Sequence, residues 1–128
     1  MIVGFTGTRG EITTPQKHWV AMMLVRLKAT ELHHGDCIGS DAIAHELAVS
    51  LGLAVVIHPP LDPKARAYCQ SDIVLPPRPY LVRNHDIVKA CDVLLATPAG
   101  GERLRSGTWA TIRYARKVHL RHYVFPAF

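Results

Sequence analysis

Apolar and polar positions along the chain fall into blocks whose spacing switches between strand-like and helix-like. Ile2-Val3-Gly4-Phe5 is a compact apolar run ending at Thr6-Gly7, as a buried parallel strand should. Thr14-Pro15 then opens a helix, with Thr14 as N-cap and Pro15 at the first helical position. Val20, Met23, Leu24 and Leu27 recur at i, i+3, i+4 and i+7, which gives that helix one apolar face. A short strand near Thr30–His34 stops at Gly35, and Ser40–Leu51 is a second helix closed by Gly52. Leu53–His58 is rich in β-branched residues and is the third strand.

The segment 59–80 holds six of the nine prolines and predicts no regular element. An irregular connection of that length marks a lid or a binding loop. Tyr80–Cys91 returns to helical spacing through Leu81, Ile87 and Val88. Val93–Ala96 follows as the fourth strand, Thr108–Lys117 as a helix and Val118–Val124 as the fifth strand. Strand alternating with helix predicts a single α/β domain over residues 1–128. Its sheet is open, parallel, five-stranded and Rossmann-like, with helices on both faces and strand order 3-2-1-4-5.

Composition agrees with a packed domain. With 48% hydrophobic and 20% charged residues, the chain can bury a core. No run of 18 apolar residues is present, so no membrane span is expected, and the opening MIVGFTGTRG reads as a strand rather than a signal peptide. Cys37, Cys69 and Cys91 are odd in number and widely spaced, which fits a reducing, cytoplasmic setting and no disulfide framework.

The formal charge of +5 is unevenly spread. Residues 1–63 carry four basic and six acidic side chains, whereas residues 64–128 carry eleven and four. A basic half invites a nucleic-acid partner. Yet there is no block of Lys and Arg and no basic strand interleaved with base-stacking aromatics. A small anionic ligand suits the pattern as well as a polymer does, and nucleic acid is the weaker reading.

In sheets of this kind ligands bind beyond the carboxyl ends of the strands. After the first strand comes Thr6-Gly7-Thr8-Arg9-Gly10, in which glycines permit close backbone approach and Arg9 offers a fork for phosphate or carboxylate. The second strand leads into Gly35-Asp36-Cys37-Ile38-Gly39-Ser40-Asp41, a loop opening a helix whose free N–H groups favour an anion. Asp36 is placed to accept hydrogen bonds from ribose hydroxyls. The fourth strand leads to Gly100-Gly101, and Ser106-Gly107-Thr108 opens the next helix. Turn chemistry explains one such loop; three after three strands point to a ligand.

These residues together resemble the SLOG superfamily, the Rossmann-like group that includes the LOG phosphoribohydrolases and the DNA-processing protein A fold. The match is to its small stand-alone branch, over essentially the whole chain. Its marks here are Thr8-Arg9, His34-Gly35 through Gly39-Ser40-Asp41, Arg83-Asn84-x-x-Ile87, and Gly100-Gly101 with Gly107-Thr108. The resemblance implies a nucleotide-type ligand and assembly into a homo-oligomer, a dimer or higher, with the 59–80 loop completing a neighbour's site. In the LOG enzymes a Glu after the GG and GT glycines supports N-glycosidic cleavage, and the corresponding position here is Thr111. Arg83 matches the arginine that accompanies that Glu. The resemblance therefore implies a binding apparatus without the usual catalytic acid, for which Asp36, Asp41 and Glu102 are the weak substitutes. A hydroxyl cannot replace a carboxylate beside an oxocarbenium-like transition state.

Arg103 and Arg105 flank the phosphate loop and suit a second phosphate, as in an ADP-ribose-like ligand. Trp109 is read as core rather than as a cover for a base. The eight histidines show no ligand pair of the usual spacing, His33 and His34 being adjacent and so on opposite faces of a strand. No metal and no cofactor are expected. The primary expectation is a sensor or sequestering protein for a nucleotide or ADP-ribose-like ligand. A nucleotide N-glycosidase with a relocated carboxylate is the alternative, and a single-stranded DNA-binding module the second alternative.

Overall fold

The structure is a computed structural model that describes residues 1–127. Its elements are β1 (Ile2–Gly7), α1 (Thr14–Arg26), β2 (Glu31–His34), α2 (Ser40–Ser50), β3 (Ala54–Ile57), β4 (Ile73–Val74), α3 (Tyr80–Ala90), β5 (Val93–Thr97), α4 (Gly107–Lys117) and β6 (His122–Val124). The strands form one sheet in the order β4-β3-β2-β1-β5-β6, and every neighbouring pair is parallel. None of the helices is long and apolar enough to cross a membrane.

The inner strands reproduce the expected 3-2-1-4-5 arrangement, but the sheet has six strands rather than five. The addition is β4, a two-residue edge strand within the proline-rich segment, paired to β3 through Val56↔Ile73 and Ile57↔Val74. That segment also holds a 3-10 turn at Pro63–Ala65 capped by the Asp62 side chain. It is less irregular than its prolines predict, because β3 supplies the backbone partners that the local sequence lacks. The last strand is shorter than expected: Val118–Leu120 complete the end of α4, and pairing with β5 begins at His122.

Local chemistry explains most boundaries. Helix α1 is capped one residue earlier than expected, by Thr13 rather than Thr14. The Thr13 hydroxyl accepts from the Gln16 N–H while the Gln16 side-chain oxygen accepts from the Thr13 N–H. The Gln16 amide then donates to the carbonyls of Pro98 (2.9 Å) and Phe125 (2.8 Å), tying α1 to the chain leaving β5 and β6.

Residues alternate faces along each strand. Val3, Phe5, Leu32, Val55, Ile57, Val93 and Leu95 meet Val20 and Leu24 of α1 and Ala44 and Ala48 of α2. Leu94 meets Val88 of α3 and Ala115 of α4, while Ala96 meets Ile112 and Trp109 of α4. Trp109 is therefore core, as its position in the first turn of α4 allows. The sheet order reverses between β1 and β5, which leave their carboxyl ends side by side at Gly7 and Thr97. That reversal opens the crevice described next.

Candidate ligand-binding site

A cavity of about 380 Å³ lies at the carboxyl ends of β1 and β5. Its walls are Gly7, Thr8 and Arg9 from the β1 turn, Tyr80 from α3, Ala99 and the Arg103/Arg105 loop, and Ser106, Gly107 and Thr108 at the start of α4. Among the described residues no carboxylate lines it. Ser106 caps α4 through its hydroxyl, which accepts from the Trp109 N–H at 3.2 Å, so the helix presents its amino end to the crevice. Arg103 and Arg105 are exposed and make no ion pair among the described residues.

The β1 turn approaches the cavity closely because Gly7 has no side chain. A Cβ there would stand 2.6 Å from both the Ser40 Cβ and the Thr97 Oγ1. Ser40 holds the turn from below, with its N–H and its hydroxyl both on the Thr8 carbonyl. Ser40 and Gly39, expected to touch ligand, pack against the Thr8-Arg9 turn from behind. Gly100 and Gly101 lie on the outer loop with open space around them, outside the wall of this cavity.

Behind Tyr80 lies a second, nearly filled compartment bordered by Gly35, Asp41, Arg83 and Asn84. Arg83 is 2% exposed. Its guanidinium donates to the carbonyls of Gly35 and His58, to the Asn84 side chain at 2.8 Å and to the Cys37 sulfur at 3.6 Å. Gly35 fits between Arg83 and Asp41: a Cβ would lie 3.1 Å from the Asp41 carboxylate and closer still to the guanidinium. Asp41 accepts from the Cys37 N–H at 3.1 Å. Burial pushes its carboxyl up to about 6, against the pull of that hydrogen bond and of Arg83.

Tyr80 was not singled out by sequence. Its ring lies 4.7 Å from the Arg9 guanidinium and 4.8 Å from that of Arg83, and it walls both compartments. The signal was present: Tyr80 and Arg83 are three residues apart on a helix and so share a face.

Two of the expected carboxylates stand elsewhere. Asp36 is fully buried, and both of its oxygens are committed to the proline-rich segment. One accepts from Arg66 Nε and the other from the Cys69 N–H, each at 2.9 Å, while its carbonyl accepts from the Ala67 N–H at 2.7 Å. It pins that segment and does not line the β1–β5 cavity. Glu102 is exposed and pairs with Arg113 and Arg116 on the outside of α4. Those two arginines hold its carboxyl below the usual range. Thr111 donates its hydroxyl to the Gly107 carbonyl within α4 at 2.9 Å and is 2% exposed.

Four histidines form two buried pairs. His33 Nδ1 meets His58 Nε2 at 2.8 Å, and His34 Nε2 meets His45 Nδ1 at 2.9 Å. With Cys69, His34 and His45 place ligand-type atoms within 4.8 Å of one another. The Asp36 N–H donates to His34 Nδ1, however, which leaves the His34 proton on Nε2, pointing at His45. A metal on Nε2 would need that proton removed, so the group is arranged as a hydrogen-bond relay. Burial and the His45 ring hold His34 down to about 3, and burial and His33 hold His58 down to about 4.

No protein-family model matches the chain, and no curated protein matches it. Solved structures do. A molybdenum cofactor binding protein from Rippkaea orientalis superposes with TM-score 0.75 at 20% identity, over 98% of this chain and 76% of that one. A Moco carrier protein from Chlamydomonas reinhardtii gives TM-score 0.71 at 18% identity, over 97% and 75%. DNA processing protein A from Streptococcus pneumoniae gives 0.70 at 21% identity, over 97% of this chain and 49% of that one. At these identities the likeness is one of fold, and it is the fold that the loop motifs resemble.

Proposed function

We propose that the protein binds a phosphorylated, nucleotide-like small molecule of the nucleotide or ADP-ribose type, and acts by sensing or sequestering it. The observation that carries this reading is the lining of the β1–β5 cavity. Three arginines (Arg9, Arg103 and Arg105), the hydroxyls of Thr8, Ser106 and Thr108 and the amino end of α4 converge there, with no carboxylate among the described residues. Such a wall is complementary to phosphate. It offers nothing to stabilise a positive transition state, which favours binding over cleavage. Two of the fold neighbours are, by their names, a molybdenum cofactor binding protein and a carrier, so this fold serves proteins that hold a ligand.

The test is isothermal calorimetry with pyrophosphate, AMP and ADP-ribose on wild type and on the double variant Arg103→Glu/Arg105→Glu. Charge-assisted hydrogen bonds contribute about 1.5–3 kcal/mol each. Because both arginines sit on an exposed loop, the lower figure applies and affinity falls by roughly 100-fold for the pair. Unchanged affinity in the double variant sinks the reading. Analytical ultracentrifugation with and without ADP-ribose tests the proposed homo-oligomer.

A second reading, N-glycosidic cleavage, rests on Asp41. Of the three candidate carboxylates it alone borders the compartment beside the cavity, with its carboxyl raised to about 6, in the range that suits a general acid. Release of free base from nucleoside monophosphates, abolished by Asp41→Asn in a folded protein, establishes that reading in place of simple binding. For single-stranded DNA the mark is affinity that falls steeply with salt, by many counterions rather than one or two.

A further inference from the structure

A separate cavity of about 350 Å³ lies on the other side of Arg83, enclosed by His58, Leu75, Pro76, Arg78, Arg83 and Asp86. It is predominantly apolar, with Leu75 and Pro76 forming its walls. Arg78 and Asp86 pair at 2.8 Å at its more exposed edge, with the carboxylate the less exposed partner. Arg83 borders both this cavity and the compartment behind Tyr80, so the two regions are divided by a single side chain. Tyr80, Arg83 and Asp86 follow one another at three-residue steps along α3. Each three-residue step turns the helix back by about 60°, so Tyr80 faces the β1–β5 cavity and Asp86, about 9 Å further along the axis, faces this one.

A relay of hydrogen bonds determines what His58 offers here. The Glu31 carboxylate accepts from His33 Nε2 at 2.7 Å, which puts the proton of neutral His33 on that nitrogen. His33 Nδ1 is then an acceptor and must receive the proton of His58 Nε2 across 2.8 Å. The proton of His58 is thereby committed to Nε2, and its Nδ1 is left as a bare acceptor with no partner among the described residues. His58 is one of the residues that line the cavity. Glu31, at the far end of β2, thus dictates the tautomer of a ring at the end of β3.

We propose that this cavity is a subsite for a planar ring bearing N–H donors, an aminated heteroaromatic base. Leu75 and Pro76 take the faces of the ring, and His58 Nδ1 and the Asp86 carboxylate take its donor edge. The hydrogen-bonded Arg83 guanidinium and the nearly filled compartment behind Tyr80 close it off from the β1–β5 cavity, so the ring subsite stands or falls on its own.

The experiment uses adenosine and pyrophosphate as probes on the full chain, followed by ¹⁵N NMR of the histidine rings and by calorimetry. Adenosine, which has no phosphate, is expected to shift the His58 Nδ1 resonance and the Leu75 amide. Leu75→Trp, which fills the cavity from an exposed position, is expected to weaken adenosine at least tenfold. Asp86→Asn is expected to weaken it less and serves if the Trp variant does not fold. Adenosine that leaves His58 unmoved, or that shifts only residues 103–108, overturns the ring subsite even if pyrophosphate binds well. Adenosine bound at His58 with no pyrophosphate binding supports the ring subsite and overturns the phosphate reading alone.

Discussion

Replacement of Asp36 separates a structural carboxylate from a ligand-binding one. The side chain is fully buried, receives Arg66 Nε and the Cys69 N–H at 2.9 Å each, and sits on a backbone with φ of +55°. Asp36→Asn keeps an oxygen for Cys69 and a residue tolerant of left-handed backbone, and loses the charge opposite Arg66, at a cost of about 1.5 kcal/mol. Asp36→Ala loses both bonds. Arg66 retains 18% side-chain exposure and recovers water, so the lower figure of about 1.5 kcal/mol per bond applies, with about 1 kcal/mol more for alanine at positive φ. The sum is about 4 kcal/mol for Ala. At about 4 °C per kcal/mol for a chain of this length, the melting temperature falls by about 6 °C for Asn and about 16 °C for Ala.

Urea and thermal unfolding followed by circular dichroism measure the loss, and calorimetry with AMP at low temperature measures affinity in the folded fraction. Affinity should change less than threefold in the Asn variant, because the carboxylate does not reach the β1–β5 cavity. An Ala variant with an unchanged unfolding midpoint and at least tenfold weaker AMP binding would refute the structural assignment and restore Asp36 as a ribose ligand.

Three other outcomes follow from the same contacts. Tyr80→Ala removes a ring from beside two guanidinium groups, each contact contributing about 0.5–1 kcal/mol, so urea unfolding should show a loss of about 1–2 kcal/mol in stability. Gly7→Ala drives a methyl into Ser40 and Thr97 and should cost about 2 kcal/mol in urea unfolding, with pyrophosphate binding lost as the β1 turn is displaced. Stability should also fall on acidification. His34 (about 3) and His58 (about 4) lie below the ordinary 6.5, so the unfolded chain binds more protons between those values, and their stabilisation is complete above pH 6.5 and lost as pH drops through 4 for His58 and towards 3 for His34. Asp41, raised from 3.8 to about 6, acts in the opposite sense, its contribution being lost as pH rises through 6. The two histidines outweigh it, and urea midpoints should show a shallower acid slope in His58→Gln.

The sequence by itself determined the alternation of strand and helix, the inner strand order and the position of the anion-seeking loops. Those features depend on short-range chemistry. Gly7 beside Thr8-Arg9 and Ser106-Gly107-Thr108 at a helix start carry their meaning within a few residues. Only the tertiary structure decided which acids and arginines meet. Asp36 and Arg66 are 30 residues apart, and their pairing took from Asp36 the ribose-holding role that its loop position suggested. Strand β4 is two residues long and exists only because β3 offers an open edge. Arg83 and Asp41 converge across Gly35 because β2, α2 and α3 pack at one end of the sheet. Tyr80 gained its place by lying between arginines that the chain separates by more than seventy positions. Burial and long-range contact are properties of the assembled core, and a carboxylate's role follows from the charge it ends up facing.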